Sequence, residues 1–373
     1  MTTTWLATHL ARLADSAPPA APIIVPEQLV CFAPGLDLWD FWPVQEIDGR
    51  TARFGNAELW IALGAPADRT SVERHGRARL RLLEREGARW RDRGDLLPDG
   101  FTPGSREWSG SAIVDTDHRR VTLFFTAAGR RGEARPSYEQ RLFQTDARVD
   151  ERDLVDWSTP VQSIASDGRV YHAAAQAEGE PGTIKAFRDP AFFRDPADGT
   201  DYLLFAASLG QSTDMFNGAI GLARRTGTGG WRLLDPLIAA DGVNNELERP
   251  HLLLHGGLYY LFWSTQHSVF SPGTAAPTGL YGMVAAKLRG PYAPLNGSGL
   301  VFANPAHAPE QAYSWLVAPD LSVSTFIDKA ALDAFARGQS RARHMLAPTL
   351  RLALDGASTR LVADDVACRA PRA

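Results

Sequence analysis

Cysteine is nearly missing from this chain: 373 residues contain only Cys31 and Cys368, at opposite ends. Two such distant residues write neither a CxxC metal site nor a disulfide framework, and both are expected to be free buried thiols. Charge of one sign is also lacking. The net charge is −4, and the arginine-rich run from Arg74 to Arg93 is broken by Glu84, Glu86 and Asp92, so nucleic acid is not an expected partner. No apolar run approaches the ~18 residues that a spanning helix needs, so no membrane partner is expected either. The opening residues "MTTTWLATHLARLADSAPPAAP" have neither a basic n-region nor an unbroken apolar stretch. A Sec signal peptide is therefore not read, which leaves a cytoplasmic location or export by another route. GxSxG, HExxH and GxxxxGK[ST] are absent, and the nine histidines show no ligand spacing. Serine hydrolase, zinc protease and P-loop chemistry are thereby unsupported, and no metal or cofactor is expected.

What the chain does contain is turn residues, 33 Gly and 25 Pro, and one apolar strand pattern written five times. The copies are "ELWIALG" (58–64), "VTLFFTA" (121–127), "DYLLFAA" (201–207), "YYLFWST" (259–265) and "LSVSTFI" (321–327). Their starts lie 63, 80, 58 and 62 residues apart, room for about four short strands with turns, which is the content of one propeller blade. The reading is an all-β fold, a five-bladed β-propeller over residues 26–373. Residues 1–25 are read as a separate element: Trp5, Leu6, His9, Leu10 and Leu13 recur at helical spacing before a Pro-rich linker, as in a short helix docked on the body.

Before each repeated strand stands a polar, aromatic-flanked segment that a core strand does not need: "DLWDFWP" (37–43), "REWSGSA" (106–112), "FRDP" (187–190), "NELERP" (245–250) and "QAYSW" (311–315). The innermost strands of propeller blades face one central channel, so these segments are expected to converge there. Asp40, Asp189, Glu246 and Glu248 would then share a site. On a strand Glu246 and Glu248 would point to one face, and like charges in a sheltered cavity push one carboxyl pKa upward. Arg188 and Arg249, each beside an acid, can orient carboxylates or grip substrate hydroxyls. Paired acids with Trp39, Trp42 and Trp108 nearby suit retaining glycoside chemistry on a sugar whose C–H faces rest on aromatic rings. A non-catalytic sugar-binding propeller is the alternative from a different class. It differs in predicting no turnover for carboxylate substitutions to abolish.

These motifs in this order, together with "TGLYGMV" (278–284) and "QAYSWLV" (311–317), resemble glycoside hydrolase family 68 over residues 28–352. That family comprises levansucrases, inulosucrases and β-fructofuranosidases. The resemblance implies a five-bladed propeller with a funnel-shaped pocket that transfers fructosyl units from sucrose to water, sucrose or fructo-oligosaccharides. It implies Asp40 as nucleophile, Asp189 as transition-state stabiliser and Glu248 as acid/base. It further implies that Glu246 and Arg188 bind sucrose, that Trp39, Trp108 and Ser109 line the fructosyl subsite, and that His267 faces the leaving glucose or the acceptor. Gln311 and Tyr313 fall in the family's QxYS motif. The sequence departs from the pattern in three places. Asn245 stands where many Gram-positive members carry a calcium-site aspartate. "FAASL" (205–209) has Ala206 in place of a glutamate, and the chain between Asp189 and Glu248 is short. A shorter acceptor wall would favour hydrolysis or short products over long polymer.

One duplication remains. "FRDPAFFRDP" (187–196) writes Arg-Asp-Pro twice, and only Arg188–Pro190 stands in the repeated polar position. The second copy, Arg194–Pro196, runs into "ADGTD" and is expected to be a turn.

Overall fold

The computed structural model describes residues 1–362 apart from 16, 26, 27, 30, 31, 68–70, 177–182 and 328–344. Cys31 and Cys368 lie outside the described residues. All five repeated patterns are the second strand of an antiparallel sheet, and all five polar segments fall on or at the start of the strand before it. Blade I runs Leu36–Gln45, Glu58–Pro66, Arg79–Glu86 and Arg89–Asp95. Blade II opens with Arg106–Val114, blade III with Phe187–Arg194, blade IV with Glu248–His255 and blade V with Ala312–Val317. The molecule is a five-bladed β-propeller. Blades I and II are joined into one sheet by a short parallel contact, Val44 opposite Ala112 and Gln45 opposite Ile113.

In blades I to IV the second strands are buried on both faces because they lie between inner and outer neighbours and between adjacent blades; in blade V, Ser322 and Ser324 stay half-buried. Leu59, Ile61, Ala62, Leu123, Phe124, Phe125, Leu203, Leu204, Phe205, Leu261, Phe262 and Trp263 are all essentially inaccessible. This explains why they read as near-continuous apolar runs rather than as alternating ones.

Each inner strand carries a bulge at the same place, so that the pairing skips after Trp39, Trp108, Arg188, Glu248 and Tyr313. In four blades two residues then oppose one, and the residue after the skip is left-handed: Asp40 (φ 53°), Asp189 (φ 59°), Arg249 (φ 49°) and Ser314 (φ 62°). A non-glycine residue in that region costs on the order of 1 kcal/mol or more, and such strain gathers at working sites. Blade II solves the same problem with one extra residue, Ser109, followed by Gly110. A side chain at Gly110 would stand 1.9 Å from the Phe124 carbonyl oxygen, so only glycine permits this approach.

The N-terminal segment is tied to two blades. Thr3–Thr4 adds a parallel strand to Trp231–Ala239 of blade III. Trp5 is wholly buried against Trp263, Phe270 and Tyr281 of blade IV, and its indole N–H donates to the Ser298 carbonyl (3.0 Å). Helical spacing overstated this region, because the α-helix is only Ala7–Leu10, followed by a 3-10 turn. Trp5 is buried directly after the strand Thr3–Thr4, while Leu6 is exposed.

Candidate active site

The equivalent bulges aim equivalent side chains at one place. A cavity of about 360 Å³ is lined by Trp39–Asp40, Trp108–Ser109, Arg188–Asp189, Glu248–Arg249 and Tyr313–Ser314, one adjacent pair from each blade. Glu246, Arg74, His75, Tyr138, Ile184 and Val269 complete much of the wall. The bulge is what lets both members of each pair reach the cavity, since in a regular strand neighbouring side chains point to opposite faces.

Asp40 accepts a hydrogen bond from the Ser109 hydroxyl, and the Arg249 guanidinium stands 4.0 Å from its other oxygen. Glu248 accepts from the Tyr313 hydroxyl, while Arg188 Nη2 donates to its Oε1 at 3.0 Å. The same Nη2 is 3.4 Å from Glu246 Oε1. Glu246 precedes the strand rather than lying on it, so the two glutamates meet through a shared guanidinium, not through strand alternation. Asp189 is more enclosed than Asp40 or Glu248. Its backbone N–H donates to Thr126 Oγ1 (3.0 Å) and its Oδ2 accepts from the Arg249 N–H (3.2 Å).

Electrostatics separates these groups. Burial pushes the Asp189 carboxyl up to about 7; Arg188 and Arg249 pull it down, but the Glu248 and Asp40 carboxylates add to the rise. Burial acts against the charge on Arg188, yet Glu246, Glu248 and Asp189 outweigh it and hold the guanidinium above its usual range. Tyr313 is held well above the usual phenol value by burial and by the Glu248 carboxylate, so it is a donor here. Four carboxylates line the cavity against the three guanidiniums of Arg74, Arg188 and Arg249. Carboxylates in a sheltered pocket favour a transition state that develops positive charge on the substrate.

The supports are built in. Gln140 Oε1 accepts from Arg188 Nη1 (3.3 Å) and from the Phe187 N–H (3.0 Å). Arg249 donates to Ser314 Oγ and the Phe41 carbonyl, both at 2.9 Å. His251, which burial holds neutral by lowering its pKa to about 4, donates from Nδ1 to the Arg249 carbonyl (3.0 Å) and accepts the Val317 N–H at Nε2 (3.0 Å). Trp39 lies against His75 (5.5 Å between ring centroids) and under the Arg74 guanidinium (4.8 Å).

Three residues singled out from sequence, Gln311, His267 and Trp42, do not line the cavity. Gln311 precedes its strand and holds the linker, donating to the Pro22 carbonyl (2.8 Å) and accepting from the Ile24 N–H (3.2 Å). His267 is exposed in a short 3-10 turn and bonds the Ala276 carbonyl (2.7 Å), while its neighbours Gln266 and Ser268 reach the wall. Trp42 lines a smaller cavity on the other side of the Asp189–Arg249 layer. Ala206 is wholly buried opposite Arg188. Ser314, Arg74 and His75 had not been singled out. Ser314 was findable as the blade V counterpart of Asp40. Arg74 and His75 come from the short helix Ser71–His75 between two strands of blade I, where no repeat could point to them.

A propeller whose five inner strands hold paired carboxylates, hydroxyl donors and aromatic walls in one cavity defines a glycoside-processing enzyme. The chain matches the family described as Levansucrase/Invertase over residues 1–217 and 211–366. It is 31% identical to a levansucrase of Pseudomonas syringae pv. actinidiae, covering 95% of this chain and 89% of that protein. It is 34% identical to a levansucrase of Zymomonas mobilis, over 86% of this chain and 80% of that one. Among solved structures, an inulosucrase from Halalkalicoccus jeotgali bound to kestose superposes with a TM-score of 0.85 at 38% identity, covering 97% of this chain and 95% of that one. The chain belongs to this family of fructosyl-transferring enzymes.

Proposed function

We propose that this enzyme takes the fructosyl unit from sucrose by double displacement, with Asp40 as nucleophile, Glu248 as acid/base and Asp189 as stabiliser. The observation that carries this reading is the presence of two similarly exposed acids in the one cavity. Asp40 and Glu248 keep side-chain exposures of 18% and 20%, each braced by one hydroxyl and one guanidinium, whereas Asp189 is sunk to 7%. Open carboxylates suit bond making and proton transfer; a sunken one suits gripping hydroxyls and opposing developing charge.

In the first half-reaction Glu248 protonates the departing glucose oxygen while an Asp40 oxygen bonds to the anomeric carbon of fructose. The Ser109 hydroxyl holds the other Asp40 oxygen, which fixes the direction of attack. In the second half-reaction Glu248 takes a proton from the acceptor as it displaces Asp40. Water as acceptor gives hydrolysis; sucrose or a fructo-oligosaccharide gives transfer. Glu246 and Arg188 on the Glu248 side suit the hydroxyls of the leaving glucose or incoming acceptor. The short chain between Asp189 and Glu248 favours water and short acceptors over a growing polymer.

Incubation with sucrose, reading glucose, free fructose and products by size, tests this. Glucose in excess over fructose is the expected result, with products of a few fructosyl units. Asp40→Ala should lose at least about 10³-fold in kcat. Normal glucose release by that variant would end the assignment, and efficient formation of high-mass polymer by the unaltered enzyme would end the claim about acceptor size.

A further inference from the structure

Lys185 lies just upstream of Arg188 and outside the cavity lining, yet its half-buried ammonium is fully engaged. Nζ donates to the Met215 carbonyl (2.7 Å), to Asn217 Oδ1 (2.6 Å) and to Asn245 Oδ1 (3.4 Å). Three donors meet three oxygens from two separate stretches of chain. The surrounding field is acidic, with Asp214, Asp241 and Glu246 all favouring the charge, although burial lowers the lysine pKa overall. This is the coordination pattern of a bound cation, supplied here by a side chain.

The oxygens are tied to the pocket wall. Asn245 immediately precedes Glu246; its Nδ2 donates to the Ile184 carbonyl (3.2 Å) and its N–H to the Val269 carbonyl (2.9 Å). Ile184, Glu246 and Val269 all line the cavity. The Lys185 carbonyl accepts from Gln140 Nε2 (2.8 Å), and Gln140 holds Arg188. The ammonium thus anchors the wall around Glu246 from behind, while the backbone carbonyl of the same residue holds Gln140 and so the guanidinium shared by Glu246 and Glu248.

We propose that Lys185 is a positioning residue, a built-in cation that holds the Glu246 side of the pocket in shape for the leaving sugar and the acceptor. This rests on the function proposed above, in which that side receives glucose and acceptor. Its removal therefore acts on sugar binding and on the partition between water and sugar acceptors, more than on fructosyl chemistry at Asp40.

Lys185→Met keeps the stem and removes the charge. Steady-state kinetics on sucrose should show KM raised about 10-fold with kcat within about 3-fold, and a glucose-to-free-fructose ratio falling toward one. Asn217→Leu removes one of the oxygens and should move both quantities in the same direction, which serves if Lys185→Met does not fold. Asn217→Asp keeps an oxygen against the ammonium and should stay near the unaltered enzyme. A lowered melting temperature with unchanged KM and product ratio, in Lys185→Met or in Asn217→Leu, would reduce Lys185 to a structural tie and overturn the proposal. So would a fall in kcat at constant KM. If the unaltered enzyme releases no glucose from sucrose, the functional reading itself fails, and that control separates the two.

Discussion

Arg188-Asp189-Pro190 and Arg194-Asp195-Pro196 are the same tripeptide at the two ends of one strand, and they have nothing in common but sequence. In the first, a bulge and a left-handed Asp189 send the carboxylate into the cavity among Arg188, Arg249, Glu248 and Asp40. In the second, the strand ends. Asp195 closes the hairpin, its N–H donating to the Thr200 carbonyl (2.9 Å) and its Oδ1 accepting from the Ala197 N–H (3.0 Å). The sequence reading of a turn holds there, with an addition. Asp195 is 6% exposed and accepts the Tyr259 hydroxyl of blade IV (2.7 Å), so it ties two blades together. Position relative to the bulge, not residue type, decides which copy reaches the cavity.

The largest expected contrast is between the two aspartates. Asp189→Asn should cost at least about 10³-fold in kcat, because the pocket loses the charge that opposes the developing cation. The same change should spare or raise stability, with a definite sign in pH. The folded Asp189 pKa of about 7 stands above the ordinary aspartate value of 3.8, so the folded state holds this proton more tightly and loses stability as pH rises from about 4 to 7. Asparagine lacks that loss. The melting temperature of Asp189→Asn minus that of the unaltered protein should be near zero at pH 4 and positive above pH 7; a constant difference across this range would refute the burial argument.

Asp195→Ala should do the reverse, leaving kcat/KM within about 2-fold while costing about 2 kcal/mol, since it orphans the buried Tyr259 hydroxyl. Tyr259→Phe should account for part of that cost, and the double variant should be less destabilised than the sum of the singles. Additive losses in chemical denaturation would show that the two do not act as a pair. The smallest effect belongs to Arg194→Gln. Its ion pair with Asp201 (2.6 Å) is partly exposed, with 39% of the arginine side chain accessible, so stability should change by less than about 1 kcal/mol and activity not at all.

Much of the fold was legible because buried second strands have a plain signature, a short apolar run recurring at blade spacing. The inner-strand motifs were legible as the polar segments preceding them. What escaped was set by local geometry that leaves no periodic trace. The bulges break alternation, so the neighbours Trp39 and Asp40 both line the cavity, which strict alternation would forbid. Turn lengths differ between blades, so Ser314 is matched to Asp40 through its polar segment and not by counting back from the repeated strand. Gln311 reads as a site residue from its motif, but it precedes the strand and holds the linker. The role argued for Lys185 depends on Met215, Asn217 and Asn245, which are distant in sequence and unremarkable in composition.

The central claim is that Asp40 and Glu248 divide the reaction between a covalent nucleophile and a proton carrier. The most direct test feeds Glu248→Gln a fructosyl donor whose leaving group needs no protonation, quenches in acid, and maps the adduct by peptide mass. The account predicts a hexosyl group on the peptide bearing Asp40, accumulating because the acceptor is no longer deprotonated. Donor consumption with the adduct on another residue, or with none in a variant that turns over at the unaltered rate, would contradict it.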